Sequence, residues 1–268
     1  MLLPHWSNIN QNIYNKIGEK MRRIKITFCY DGSSFRGYQK QPKLRTVQGV
    51  LEHVLRKIDV EPILVSASGR TDAKVHALCQ VAHFDIVRDS ISADNLLYIF
   101  KRQLPPDIKV RNVEEVAPDF HARFDVKSKE YWYKFHSLKD VESTPFISRY
   151  YSFVPYEINL EHLNDILALY IGTHDFTAFT TMPEDYDCIR TIHHCYCIFV
   201  EKEQCFIIKI KGTGFMQYMV RILIGYAFEV YRGRETKASI TDLFNSRNRQ
   251  YVHSKMLPEG LYLVSVNY

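Results

Sequence analysis

Arg221 lies inside the run MQYMVRILIGYAFEV, residues 216–230, which is apolar nearly all the way round and should form a largely buried helix. A guanidinium cannot shed its proton, and an unpaired charge in such a helix costs several kcal/mol, so a carboxylate must stand against it. Asp72, in the run Gly69-Arg70-Thr71-Asp72, is the natural candidate. It sits in a short connection between two strand-like runs, the kind of place from which scaffolds display reactive groups. Arg70, Lys74 and His76 make its local potential positive, which favours an ionised aspartate near neutral pH. Aspartate also caps turns, and Arg221 alone fits a structural ion pair equally well. The third residue is Tyr131 in KEYWYKF: on a strand it shares a face with Tyr133 while Trp132 points away. Beside Lys127, Lys129 and Lys134 it could stack on an unstacked base, or simply pack the core with its hydroxyl wet.

Other constellations are weaker. Strand alternation puts His193, Cys195 and Cys197 on one face and His194 on the other, but no Cys-x2-Cys pair accompanies them, so no metal is expected. Gly212-Thr213-Gly214 lacks the Lys-Ser/Thr ending of a phosphate-binding loop. The 268 residues are 46% hydrophobic and 24% charged, enough for one large domain or two smaller ones. A formal charge of +5 permits a polyanionic partner without requiring one. No apolar run is long enough to span a membrane, and the start MLLPHWSNINQ lacks the pattern of a secretory signal. Scattered cysteines read as reduced thiols in a cytoplasmic protein.

The elements that must position these residues follow from periodicity. Residues 1–21 read as an N-terminal extension. Gly18-Glu19-Lys20 back-translates to a purine-rich stretch, which would make Met21 the physiological start. Strands are expected at 23–30, 63–67, 78–84 and 107–116, with helices from Thr46 and over 92–103. The second half, 119–268, repeats the flavour of 22–118, with the join near Pro118. It offers strands at 129–135, 192–200, 204–211 and 261–266. Its helices are expected after Asn159, from about Phe215 to Tyr231, and near 240–245. Such a pattern fits an α+β sandwich: two similar α/β halves joined through a largely antiparallel central sheet, with helices on one face.

Taken in order, the segments resemble one family, the TruA-type tRNA pseudouridine synthases. The resemblance rests on YDGSSFRGYQKQ, TVQGVLE, SGRTDAKVHALCQVAHF, LPPDI, FHARFDVKSKEYWY, GTHDFTAF, IRTI, GFMQYMVRILIG and EGLYL, which together cover nearly everything after residue 21. It implies isomerisation of uridine to its C-glycoside in the anticodon stem-loop of tRNA, positions 38–40, without cofactor or metal. The enzyme would be a homodimer with one tRNA across both subunits, and its active-site cleft would lie between the two halves of the chain. By the same resemblance Asp72 is the catalytic carboxylate, acting on the base or on the sugar. Tyr131 stacks on the target base, and Arg221 pairs with Asp72. Arg70 fills the space the flipped uridine leaves, while His121, Arg123 and Arg190 grip RNA.

The sequence departs from the family pattern at several places. Lys74 replaces a glycine after Thr-Asp-Ala, Lys101 an asparagine, Ile222 another asparagine, and Met256-Leu257 an Ala-Pro pair. Lys74 and Lys101 point to altered RNA contacts, hence to a divergent paralogue acting on a different tRNA or ribosomal uridine as the alternative target. A catalytically silent RNA chaperone on the same scaffold is the alternative of another class. It has no use for a retained nucleophile.

Overall fold

The computed structural model describes residues 21–58, 62–87, 90–137, 144–183, 185–252 and 254–268; all of the N-terminal extension but Met21 lies outside them, as does the purine-rich stretch at Gly18-Glu19-Lys20. In chain order the elements are β1 (Arg22–Tyr30), α1 (Val47–Leu55), β2 (Ser66–Ala67), β3 (His76–Ile86), α2 (Ala93–Gln103) and β4 (Ile108–Val116). They continue with β5 (Ser128–Ser137), β6 (Ser152–Val154), α3 (Leu160–Leu167), β7 (Gly172–Asp175), β8 (Ile189–Val200), β9 (Cys205–Gly212), α4 (Met219–Tyr231), α5 (Lys237–Ser246) and β10 (Leu261–Asn267).

Alternation decides which strand face is buried. In β1, Ile24, Ile26, Phe28 and Tyr30 point into one continuous apolar cluster shared with α1 and α2, and the intervening residues stay half-exposed. Helix starts follow their caps: the side chains of Thr46, Ser92, Asn159 and Thr236 each accept a bond from a backbone N–H in the first turn. The strands form a 10-stranded sheet in the order β4-β1-β3-β10-β5-β9-β8-β7, with β2 beside β3 and β6 beside β5. Pairing is antiparallel except for β10 with β3 and β5 with β6. This is the expected mixed α/β architecture with a mostly antiparallel sheet.

The central seam matters most for function. The last strand, β10, lies between β3 and β5: Leu263 opposes Ala77 on one side and Tyr131 on the other. The strand that follows the Asp72 loop and the strand that carries Tyr131 are therefore held one strand apart by the final residues of the chain.

Three expectations differ in detail. The strand expected at 63–67 shrinks to Ser66–Ala67 because α1 side chains occupy the backbone groups of Val65: Glu52 accepts its N–H at 3.3 Å and Gln48 donates to its carbonyl at 3.2 Å. The helix expected from Phe215 starts at Met219 because Tyr218 adopts a left-handed conformation, φ 60°, which no helix can propagate through. A bulge between Ile192 and His194 then turns His193 outward, so that it does not share a face with buried Cys195 and Cys197. Among the described residues no three His, Cys, Asp or Glu side chains could hold a metal, and no helix is long and apolar enough to cross a membrane.

Candidate active site

The loop between β2 and β3 is fastened from below. Ser68 N–H bonds the Val81 carbonyl at 2.8 Å, and Gln80 Nε2 donates to the Gly69 carbonyl at 3.0 Å. The Tyr30 hydroxyl pairs with Thr71 Oγ1 at 2.8 Å, Tyr38 N–H reaches the Thr71 carbonyl at 3.0 Å, and Lys74 N–H reaches Phe35 O at 3.3 Å. The segment 30–38 thus serves as the loop's bed. Gly32 is required there, since a Cβ would come within 2.1 Å of the Val75 carbonyl.

From this loop Asp72 meets Arg221. Nη1 of Arg221 donates to Oδ2 of Asp72 at 3.1 Å, while its Nε donates to the Met256 carbonyl at 2.8 Å. Arg221 is only 7% exposed, on a helix of which every residue but Glu229 and Tyr231 is buried. The buried cation has its carboxylate, and the 3.1 Å contact joins residues 149 apart in sequence. Burial pushes the Asp72 carboxyl above the ordinary aspartate range; Arg221 and then Lys255 pull it back without cancelling the shift. This corrects the reading drawn from sequence neighbours. Lys74 turns to Glu259 at 2.9 Å, and His76 is a buried ring whose Nδ1 accepts from Gly32 N–H and whose pKa is lowered by burial. The positive field at Asp72 comes from residues far along the chain, and its carboxylate is kept less acidic than usual.

The backbone at Lys74 shows why the family pattern has a glycine there. Its φ is 67°, the left-handed region that glycine occupies freely, so a lysine there carries backbone strain. Met256 and Leu257 are equally intelligible. What the site uses is the Met256 carbonyl on Arg221 and the Leu257 carbonyl on the Tyr133 hydroxyl at 2.9 Å, neither of which depends on the side chain.

Asp72, Arg221 and Tyr131 line one cleft of about 840 Å³. Tyr131 is 8% exposed and meets Phe215 edge-on, ring centroids 5.2 Å apart. Its hydroxyl is pushed far up by burial, then by Tyr30 and Asp72, which keeps it a neutral phenol at ordinary pH. Arg70, Arg123 and Arg190 line the same cleft. His121 does not; its Nδ1 accepts from the backbone N–H groups of Arg123 and Phe124 at 3.1 and 3.3 Å, so it shapes the loop that presents Arg123. Lys74 and Lys101 also lie off the cleft lining, Lys101 on the exposed last turn of α2.

Several contributors escaped the sequence reading. Tyr218 lines the cleft with the Lys255 ammonium 3.9 Å from its ring and the Arg221 guanidinium at 5.6 Å. Lys255 carries no sequence signal at all. Lys129 entered only as a basic neighbour of Tyr131, although it stands two residues before it on a strand and so shares its face. Its Nζ donates to the Ser68 carbonyl at 2.6 Å from within the cleft wall.

A carboxylate gripped by a buried arginine, in a cleft lined by further arginines and an aromatic ring, is an arrangement that could take a nucleic acid and act on it through one carboxylate. Comparison with known proteins narrows the class. The profile of a family described as tRNA pseudouridine synthase matches residues 26–125 and 166–268. A Geobacillus sp. (strain WCH70) protein named tRNA pseudouridine synthase A is 43% identical over 251 residues, 92% of this chain and 98% of that one. Proteins of the same name from Exiguobacterium sp. (strain ATCC BAA-1283 / AT1b) and Oceanobacillus iheyensis are 40% and 39% identical, each over 92% of this chain and at least 97% of their own. The chain belongs to the tRNA pseudouridine synthase family. Asp72 and Arg221 fall inside the matched spans, while Tyr131 lies between them and owes its place in the site to geometry.

Proposed function

We propose that this protein isomerises uridine to pseudouridine in the anticodon stem-loop of tRNA, at positions 38–40, with Asp72 as the nucleophile. The observation that carries the reading is the Asp72–Arg221 pair inside a cleft large enough for an extruded nucleotide. The reaction breaks the N1–C1′ bond and forms C5–C1′. C5 gives up one proton and N1 gains one, so nothing is consumed and no cofactor is called for. Asp72 supplies the temporary bond, to the base or to C1′, and Arg221 holds the carboxylate ionised and aimed. Tyr131 stacks on the base with its hydroxyl near the reacting edge. Arg70 occupies the gap the uridine leaves, and Arg123, Arg190, Lys74 and Lys101 hold the RNA backbone, with His121 behind Arg123. The active form is a cytoplasmic homodimer with one tRNA across both subunits.

Asp72→Asn keeps the shape and a hydrogen-bond acceptor for Arg221 while removing the nucleophile. It should abolish pseudouridine formation on tRNA and leave tRNA affinity nearly unchanged. Pseudouridine mapping of RNA from a deletion strain checks the target: loss at positions 38–40 is expected, and loss at another uridine alone would overturn the assignment of the stem-loop. Sedimentation of the purified protein with and without tRNA tests the dimer.

A further inference from the structure

Lys129 is 9% exposed, and no carboxylate lies within ion-pair distance of it among the described residues. A buried ammonium without a counter-charge is costly, and it has three protons to place. One goes to the Ser68 carbonyl at 2.6 Å. The remaining two belong to a group that lines the cleft. Its ammonium also stands over Gly69, where any Cβ would come within 2.9 Å of Nζ.

The charges that act on Lys129 are themselves positive: Arg123 and Arg190, both on the cleft wall. Neither has a carboxylate partner among the described residues. Several other cations of this chain are neutralised: Arg23 is paired with Asp85 at 2.7 Å, Arg45 with Asp107 at 2.7 Å, and Lys40 with Glu52 at 2.8 Å. Three like charges gathered without an anion disfavour one another, and burial followed by these two arginines lowers the Lys129 pKa to about 8. An arrangement that costs stability in the free protein is explained if an anion completes it.

We propose that Lys129, with Arg123 and Arg190, seats one backbone phosphate of the bound RNA against the floor of the Asp72 loop. Two guanidinium forks and one point charge suit a tetrahedral oxyanion better than a nucleobase edge. The position suits it as well. Lys129 precedes Tyr131 by two residues on the same strand face, about 6.6 Å along β5, comparable to the reach from a base to its own phosphate. Because the same ammonium holds the Ser68 carbonyl, a phosphate seated there is tied directly to the loop that carries Arg70 and Asp72. The identity of the anion as RNA backbone rests on the function proposed above; binding of a phosphate does not.

Two measurements on the full chain test the proposal. In the first, lysines carry a carbon label and are titrated by NMR with and without inorganic phosphate, the Lys129 signal being assigned by its loss in Lys129→Arg. A lysine titrating near pH 8 that moves upward with phosphate is expected; a Lys129 titration indifferent to phosphate overturns the proposal. In the second, affinity for a tRNA stem-loop is measured against salt. Lys129→Gln should lower affinity at least roughly tenfold and reduce the salt slope by about 0.7–0.9, while Lys129→Arg retains the slope. An unchanged slope in folded Lys129→Gln also overturns it, and should that variant not fold, the phosphate titration of the unmodified protein decides. If phosphate binds as expected but no pseudouridine forms, the proposed function fails and the phosphate seat stands.

Discussion

Replacing Arg221 by glutamine should reveal how the Asp72–Arg221 pair is balanced. The guanidinium side chain is 9% exposed and the carboxylate 23%, so removing the cation leaves a largely buried aspartate without its partner. Such a removal costs about 3–5 kcal/mol; the opening of the cleft on Asp72 argues for the lower end, about 3 kcal/mol. At roughly 2–4 °C per kcal/mol for a chain of this size, thermal unfolding should fall by roughly 6–12 °C. The penalty must depend on pH. The folded Asp72 pKa is raised, so the folded state holds this proton longer than the unfolded state does. Stability from this group is present at low pH and lost as pH rises through the folded pKa. Without Arg221 that pKa climbs further, so Arg221→Gln should be mildly destabilised in acid, where Asp72 is neutral, and most destabilised at neutral pH. Adding Asp72→Asn should recover about half the loss, because the Arg221 bond to the Met256 carbonyl remains missing. Thermal unfolding of both single variants and the double variant at two pH values completes the cycle. A penalty that is independent of pH, or a double variant no better than Arg221→Gln, would refute the reasoning.

Tyr131→Phe keeps the ring and its contact with Phe215, so RNA affinity should stay near that of the unmodified protein while the single-turnover rate drops roughly 100-fold; an unchanged rate would remove the hydroxyl from the chemistry. Lys74→Gly relieves a left-handed lysine, about 1–2 kcal/mol, but loses the pair with Glu259, whose lysine is 49% exposed, and adds glycine's chain entropy. Stability measured in urea should stay within about 1 kcal/mol of the parent, and a fall of more than about 2 kcal/mol would show the ion pair to be stronger than a surface pair. Gly225→Ala brings a Cβ to 2.7 Å from the Ser254 carbonyl, on the segment that supplies Lys255 and the Met256 carbonyl. It should cost about 1–3 kcal/mol and slow the reaction; an intact rate would mean that this segment is free to shift without disturbing Arg221.

The elements were legible wherever local chemistry decides them. Alternation located β1 and β5, apolar periodicity located α1, and caps at Ser92 and Asn159 located two helix starts, because those signals act over a few residues. The chemistry of Arg221 was legible for a different reason: a charge in an apolar helix demands a partner wherever that partner lies in the chain. Legibility failed where a remote contact replaced a local one. Ser152–Val154 and Gly172–Asp175 are too short to show a period, and both exist because β5 and β8 offer edges to them. Val65 has strand composition, yet α1 side chains took its backbone groups. Tyr218 sits in a largely apolar run, and nothing in its neighbours announces a left-handed residue.

The position of β10 shows how remote pairing creates the site. Leu263 touches β3 and β5 at once, so the distance from Asp72 to Tyr131 is set by residues more than a hundred positions away from either. The same seam brings Lys129 on β5 under Ser68, and its bond there ties the strand of Tyr131 to the loop of Asp72. Sequence order gave each of these residues a face, but only the pairing of strands gave them a common cleft. Arg221 could be assigned a partner in advance because its need was a negative charge and the chain offered a suitable one. Lys129 has the same need, and the described chain supplies no carboxylate for it. On the proposal above, a cation that folding leaves without a carboxylate, beside two others in the wall of the cleft that holds Asp72, is satisfied by a phosphate of the substrate.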